Sequence, residues 1–119
     1  MSPLLFVGAA LAGGAGAVLR YLVDRGVAKI ARGRFPWGIL LVNVSGSFAL
    51  GLVTAVLPDQ AFLLGAGLLG GYTTFSTAML DTVALWSDGA RRASAFNAVG
   101  MLLMGLVAAG LGLAVGSAI

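Results

Sequence analysis

The residues best suited to chemistry are Gly70-Gly71-Tyr72-Thr73-Thr74-Phe75-Ser76-Thr77. They sit inside an apolar run from about Ala61 to Trp86, long enough to cross a bilayer. Two adjacent glycines followed by four hydroxyl residues are the wrong chemistry for an uninterrupted crossing. At ~1.5 Å per residue, Gly70 lies ~14 Å in from Ala61, near the middle of a ~30 Å hydrocarbon core. A helix opened at that depth frees backbone carbonyls and amides that lipid cannot satisfy. They must face protein, an ion or a water-filled path. The stretch is therefore expected to be a broken transmembrane helix carrying an ion site. A second polar cluster lies in the preceding span, where Asn43 and Ser47 stack at i, i+4 with Gly46 beside them. An Asn in hydrocarbon is costly unless paired. It is expected either to hold the bundle through an interhelical hydrogen bond or to share a polar path with the Gly70–Thr77 stretch.

The elements that must position these residues follow from composition. The chain has 119 residues, 60% hydrophobic and only 9% charged. A soluble domain of that size cannot hide so much apolar surface. Apolar runs of ~20 residues rather than alternating ten-residue strands imply helices, so the fold class is all-α integral membrane. There is no His, Cys or Glu, and the acids are Asp24, Asp59, Asp81 and Asp88. That excludes thiol chemistry, disulfides, histidine bases and the usual transition-metal clusters. The net charge of +3 comes from basic residues flanking membrane spans. Nucleic acid is therefore not the expected partner.

Four spans are predicted, at about 3–23, 36–57, 61–86 and 93–115, forming one domain over 1–119. The first is expected to be retained rather than cleaved, because no basic segment precedes it and the apolar run continues to Val23. Gly8, Ala12, Gly16 and Arg20 share one of its faces, a small-residue packing stripe ending in a cation. Arg20 either snorkels to the interface with Tyr21 and Arg25, caps a neighbouring helix end, or draws anions into a vestibule. Arg25, Lys29 and Arg32 share a face over 24–35, which predicts a short interfacial helix. Asp81 is either a near-interface acid paired with a basic residue such as Arg20, or a vestibule residue. Asn97, Met101, Met104 and Ala108 share a face of the fourth span; Gly105, Ala109, Gly112 and Gly116 share a packing face. Loops one and three carry six basic residues and the remaining connections none, so those loops are expected in the cytoplasm and both termini outside. A single four-span unit hardly encloses a path, so oligomerisation is expected.

Three stretches resemble the Fluc/CrcB fluoride channel family. Gly16-Ala17-Val18-Leu19-Arg20-Tyr21 is similar to its first-span GAxxRY. Val42-Asn43-Val44-Ser45-Gly46-Ser47-Phe48-Ala49-Leu50-Gly51 is similar to its VNxxGSFxxG. Gly70–Thr77 is similar to its GGxTTFST. Length, span count and motif order agree as well. The resemblance implies a dual-topology, antiparallel dimer with two pores that passes fluoride out of the cytoplasm and lowers its toxicity. It implies the plasma membrane, here a prokaryotic inner membrane. It also implies a structural, non-transported sodium ion held by the backbone carbonyls matching Gly70 and Thr73. A hard cation takes oxygen ligands, and an unwound helix supplies them. Fluoride is implied beside Asn43 and Phe75, with Ser76 and Thr77 nearby. Their N–H and O–H groups and the positive edge of the phenylalanine ring would replace water. Asp81 stands where the family commonly carries an acid.

Three departures qualify this. The family usually continues TTFSTF, and this chain has Ala78 where the second pore phenylalanine would stand. The polar residues the family carries along span four are mostly replaced, with Met101 and Met104 prominent. Homodimeric members carry little charge bias, whereas this chain carries a strong one, so an antiparallel partner would need the reverse. These points predict one half of a heterodimer whose partner supplies the missing phenylalanine, with a homodimer tolerating Ala78 as the alternative. A proton-coupled multidrug exporter of four spans would need a carboxylate in span one, which has Arg20 and no acid. A non-transporting assembly subunit does not explain Gly70–Thr77 with Asn43. A membrane enzyme lacks an acid/base pair or an activated nucleophile.

Overall fold

A computed structural model describes residues 2–119. All regular structure among them is helical. Helix α1 is Pro3–Ile30, capped by the Ser2 side chain, which accepts from the Leu5 N–H. Helix α2 is Trp37–Val56. After a single turn at Pro58–Gln60, α3 covers residues 61–72, of which Ala61–Leu69 are wound as a π-helix. Helix α4 is Ser76–Ser87 and α5 is Arg91–Ala118, with a π-wound stretch at Phe96–Gly100. By length and composition, α1, α2 and α5 are each long and apolar enough to cross a membrane. The bundle is 48 Å long, enough to pass through a ~30 Å hydrocarbon core into both headgroup layers.

Two backbone-close crossings organise the bundle. α1 packs on α3 through glycines: a Cβ at Gly16 would strike the Leu68 carbonyl, and one at Gly71 the Gly13 carbonyl. α2 packs on α5 in the same way, Gly51 against Ala109 and Gly112 against Phe48. Small residues permit this approach, and close van der Waals packing is what holds helices together where lipid is as apolar as leucine. Gly16, Gly112 and Gly116, placed on packing faces by their spacing, are all buried.

Residues 24–30 do not form a separate interfacial helix. They continue α1 without interruption to Ile30. Asp24 packs directly on Gly38 of α2, which holds this extension against the bundle. The chain turns only at Gly33, whose φ of 124° is a conformation glycine adopts at little cost. At the same end, Arg34 donates to the Asp88 carbonyl at 3.3 Å and lies 4.0 Å from its carboxylate. Loop one is thereby tied to loop three.

Candidate functional site

Between α3 and α4 the backbone leaves the helix at Thr73, which is extended at φ −80°, ψ 159°. The residue before this point, the residue at it and the residue after it are all anchored to α2. The Tyr72 hydroxyl lies 3.0 Å from Ser45 Oγ, Thr73 sits against Gly46, and Thr74 meets Asn43. The last contact is a two-way clamp. Asn43 Nδ2 donates to the Thr74 carbonyl, and the Thr74 N–H donates to Asn43 Oδ1, both at 2.8 Å. Asn43 thus pairs with a peptide group as another backbone strand would. Its second Nδ2 hydrogen is directed at Met101 Sδ, 3.1 Å away. Ser47 Oγ donates to the Asn43 carbonyl at 2.8 Å, which realises the i, i+4 stacking.

The ladder around the break has a specific gap. In a continuous helix the Thr74 N–H would serve the Gly70 carbonyl and the Thr77 N–H the Thr73 carbonyl. Here the first goes to Asn43 Oδ1 and the second to Thr74 Oγ1 at 3.2 Å. The Thr73 N–H keeps its helical bond to Leu69 at 2.9 Å. With Thr73 extended, the carbonyls of Gly70, Gly71, Tyr72 and Thr73 all lose their helical donors, and Gly70 and Thr73, which the family resemblance implies as cation ligands, are two of these four. Oxygen-only donors without charge suit a hard monovalent or divalent cation rather than a soft metal.

The break lines an open, mostly apolar groove of about 720 Å³ between α2 and α5. Asn43, Ser47, Gly70, Thr73, Phe75 and Met101 are among its walls. Phe75 is 78% exposed, and Ser76 is also exposed, whereas Thr77 is half-buried. The Thr77 hydroxyl accepts from Thr74 Oγ1 at 3.2 Å and retains its own hydrogen. Ala78 lies at the groove floor, 1% exposed, packed with Ile39, Leu40 and Met101. Asn43, Phe75 and Ala78 therefore share one groove. Arg20 and Asp81 stand apart from it, both partly buried. They do not pair: among the described residues the ion pair is Arg34–Asp88.

Thr82 and Ser94 escaped the sequence reading, and Thr74 was read only as part of its stretch. Thr74 is the peptide that Asn43 holds, and its hydroxyl also caps α4. Thr82 and Ser94 join Asn97 in a buried cluster behind Ala78. Asn97, wholly buried, donates to the Ala78 carbonyl at 3.2 Å and to Thr82 Oγ1 at 2.9 Å. Ser94 Oγ donates to the Thr82 carbonyl at 2.7 Å. The cluster fastens α4 to α5 and leaves Asn97 Oδ1 without a partner. Ser94 and Asn97 stand at i, i+3 on one helix face, the signal that could have paired them.

A helical bundle with several membrane-length apolar helices and a polar backbone gap beside an open groove defines a multi-pass membrane protein. The family model described as CrcB-like protein, Camphor Resistance (CrcB), matches residues 7–113, and the chain belongs to that family. It is 45% identical over 122 residues to "Fluoride-specific ion channel FluC 1" of Leifsonia xyli subsp. xyli, covering 98% of this chain and 89% of that protein. It is 48% identical over 109 residues to "Fluoride-specific ion channel FluC 1" of Rubrobacter xylanophilus, covering 89% and 88%. It is 46% identical over 110 residues to "Fluoride-specific ion channel FluC 2" of Mycobacterium tuberculosis, covering 91% and 87%.

Proposed function

We propose that this chain is a subunit of a fluoride-specific channel of the plasma membrane that lets fluoride leave the cytoplasm. The observation carrying this reading is the backbone gap at Thr73–Phe75 on a groove shared by Asn43 and Phe75, in a chain akin to proteins of that name. α3 and α4 read together as one crossing opened near mid-membrane, where unsatisfied backbone is tolerated only against protein, ion or water.

Fluoride is small and strongly hydrated, so a dry path must return hydrogen-bond donors to it. The exposed Ser76 hydroxyl, the free hydrogen of Thr77 and the edge of the Phe75 ring supply these. Asn43 is less available than a bare donor, since both Nδ2 hydrogens are engaged. The one directed at Met101 is the one to yield, because a thioether is a weak acceptor. Arg20 and Asp81 lie off the groove and act in a vestibule or in holding the fold. Moving an ion makes and breaks no covalent bond, so the chain is not assigned an enzymatic step.

The Gly70 and Thr73 carbonyls are the proposed seat of a structural sodium ion, which would supply a fixed positive charge and tie two break regions together. Their missing helical donors support this, and two antiparallel copies would present four such oxygens. An antiparallel dimer also covers the groove and the exposed Phe75. The partner in this reading is a related second chain rather than a copy. Loops one and three hold six basic residues against none elsewhere in the connections, and inverting that bias is costly. Ala78 leaves one pore without its second ring. Fluoride efflux from liposomes, measured for the lone chain and for the chain with an oppositely biased partner, tests this. Selective efflux only with the partner is expected; robust efflux by the lone chain would sink the heterodimer while leaving the channel.

A further inference from the structure

We infer that Asn43 is the positioning residue that opens the Gly70 carbonyl, so that the cation site and the groove are set by one side chain. The observation is a competition for a single hydrogen. Gly70 O and Asn43 Oδ1 are both acceptors for the Thr74 N–H: the first by helical register, the second by the clamp. The structure gives that hydrogen to Asn43 at 2.8 Å. The reciprocal bond from Asn43 Nδ2 to the Thr74 carbonyl, also 2.8 Å, fixes which edge of the amide faces the peptide. The Met101 sulfur at 3.1 Å holds the remaining hydrogen and resists an amide flip. The opening at Thr73 has no such control from residue 43, because the Thr77 N–H is taken within the break by Thr74 Oγ1. Of the four carbonyls left without helical donors, Gly70 is the one whose donor is held from 31 positions away.

The consequence is a coupling between sites. With no acceptor at residue 43, the Thr74 N–H returns to Gly70 and the helix closes over that oxygen. Anything that draws the Asn43 amide towards the groove works in the same direction. An occupant that pulled the Thr74 clamp open would oppose cation binding, reciprocally as any thermodynamic coupling must be, whereas one that takes only the hydrogen directed at Met101 leaves the clamp and the Gly70 carbonyl as they are. The cation half of this rests on the sodium reading above; the backbone half does not.

The test uses the full chain with Gly70 labelled at its carbonyl carbon, in lipid, together with sodium-dependent thermal stability. Asn43→Leu keeps the approximate shape and removes the acceptor. Its Gly70 carbonyl resonance is expected to move to the hydrogen-bonded helical position, and the sodium concentration giving half its stabilisation to rise about tenfold, as for one added competing hydrogen bond. Asn43→Leu combined with Thr74→Pro removes the competing N–H altogether. Thr73 is already extended, as a residue before proline prefers, so this double variant is expected to recover the wild-type Gly70 resonance; its sodium response is not the readout, because proline also removes the Thr74 Oγ1 that holds the Thr77 N–H away from Thr73. An unmoved Gly70 resonance in Asn43→Leu overturns the inference, and so does a moved resonance that Thr74→Pro fails to restore. If the resonance moves and returns as expected while the wild type shows no response to sodium, the positioning role stands and the sodium reading falls.

Discussion

Substituting Met101 by Leu isolates the contact that separates Asn43 from the groove. Met101 is 8% exposed and packs with Ile39, Leu40 and Ala78. Leucine keeps its volume approximately, and such exchanges usually cost less than about 1.5 kcal/mol. What it removes is the sulfur that accepts the second Nδ2 hydrogen of Asn43 at 3.1 Å. A neutral hydrogen bond is worth about 1 kcal/mol net, and a thioether acceptor less than an oxygen, so the loss to stability is expected to stay within about 1 kcal/mol. The same fraction of a kilocalorie reappears as a gain for an anion in the groove, which no longer displaces the sulfur. That corresponds to about two- to fivefold stronger fluoride interaction at Asn43. The assay is twofold: fluoride titration of the 15N-labelled Asn43 side-chain amide in detergent, and initial fluoride efflux at limiting fluoride in the conducting assembly. The amide protons of Met101→Leu should respond at lower fluoride than those of the wild type. Equal responses in both, or a weaker one in the variant, would refute the reasoning.

Other expectations follow from the packing. Asn97→Asp places a carboxylate against the Ala78 carbonyl and Thr82 Oγ1, where Asn97 now donates; as a buried, uncompensated charge it should cost about 3 kcal/mol or more and lower the thermal midpoint in detergent sharply. Gly112→Val drives a side chain into the Phe48 carbonyl, and the α2–α5 crossing should open, read as loss of a monodisperse folded species by size exclusion. Arg34→Ala breaks a pair whose side chains are 58% and 56% exposed and 4.0 Å apart, and thermal stability should change by less than about 1 kcal/mol.

The interruption of the helix at Thr73–Phe75 falls inside the Gly70–Thr77 stretch that the sequence singled out, where Gly71 also serves the close packing of α3 on α1. What the sequence could not show was where the displaced N–H groups go. That depends on Asn43 reaching Thr74 across 31 residues, a contact created by Gly46 allowing Thr73 to approach α2. For the same reason Asn43 read as a donor to an ion, while in the folded chain its donors serve Thr74 and Met101. The basic residues Arg25, Lys29 and Arg32 looked like a separate surface helix. Their spacing is equally that of α1 continued, and periodicity alone does not distinguish an extension from a new helix. No proline stands between Val23 and Gly33, and Gly26 alone did not interrupt the helix; that absence was the available signal. Arg20 and Asp81 were candidate partners by depth alone, and depth says nothing of rotation about the helix axis.

The most direct measurement is fluoride against chloride efflux from liposomes containing this chain together with an oppositely biased related chain, with and without sodium. Rapid fluoride efflux with chloride retained is the expected result, faster or longer-lived when sodium is present. Retention of both ions, or equal loss of both, would contradict a fluoride-specific path through this fold.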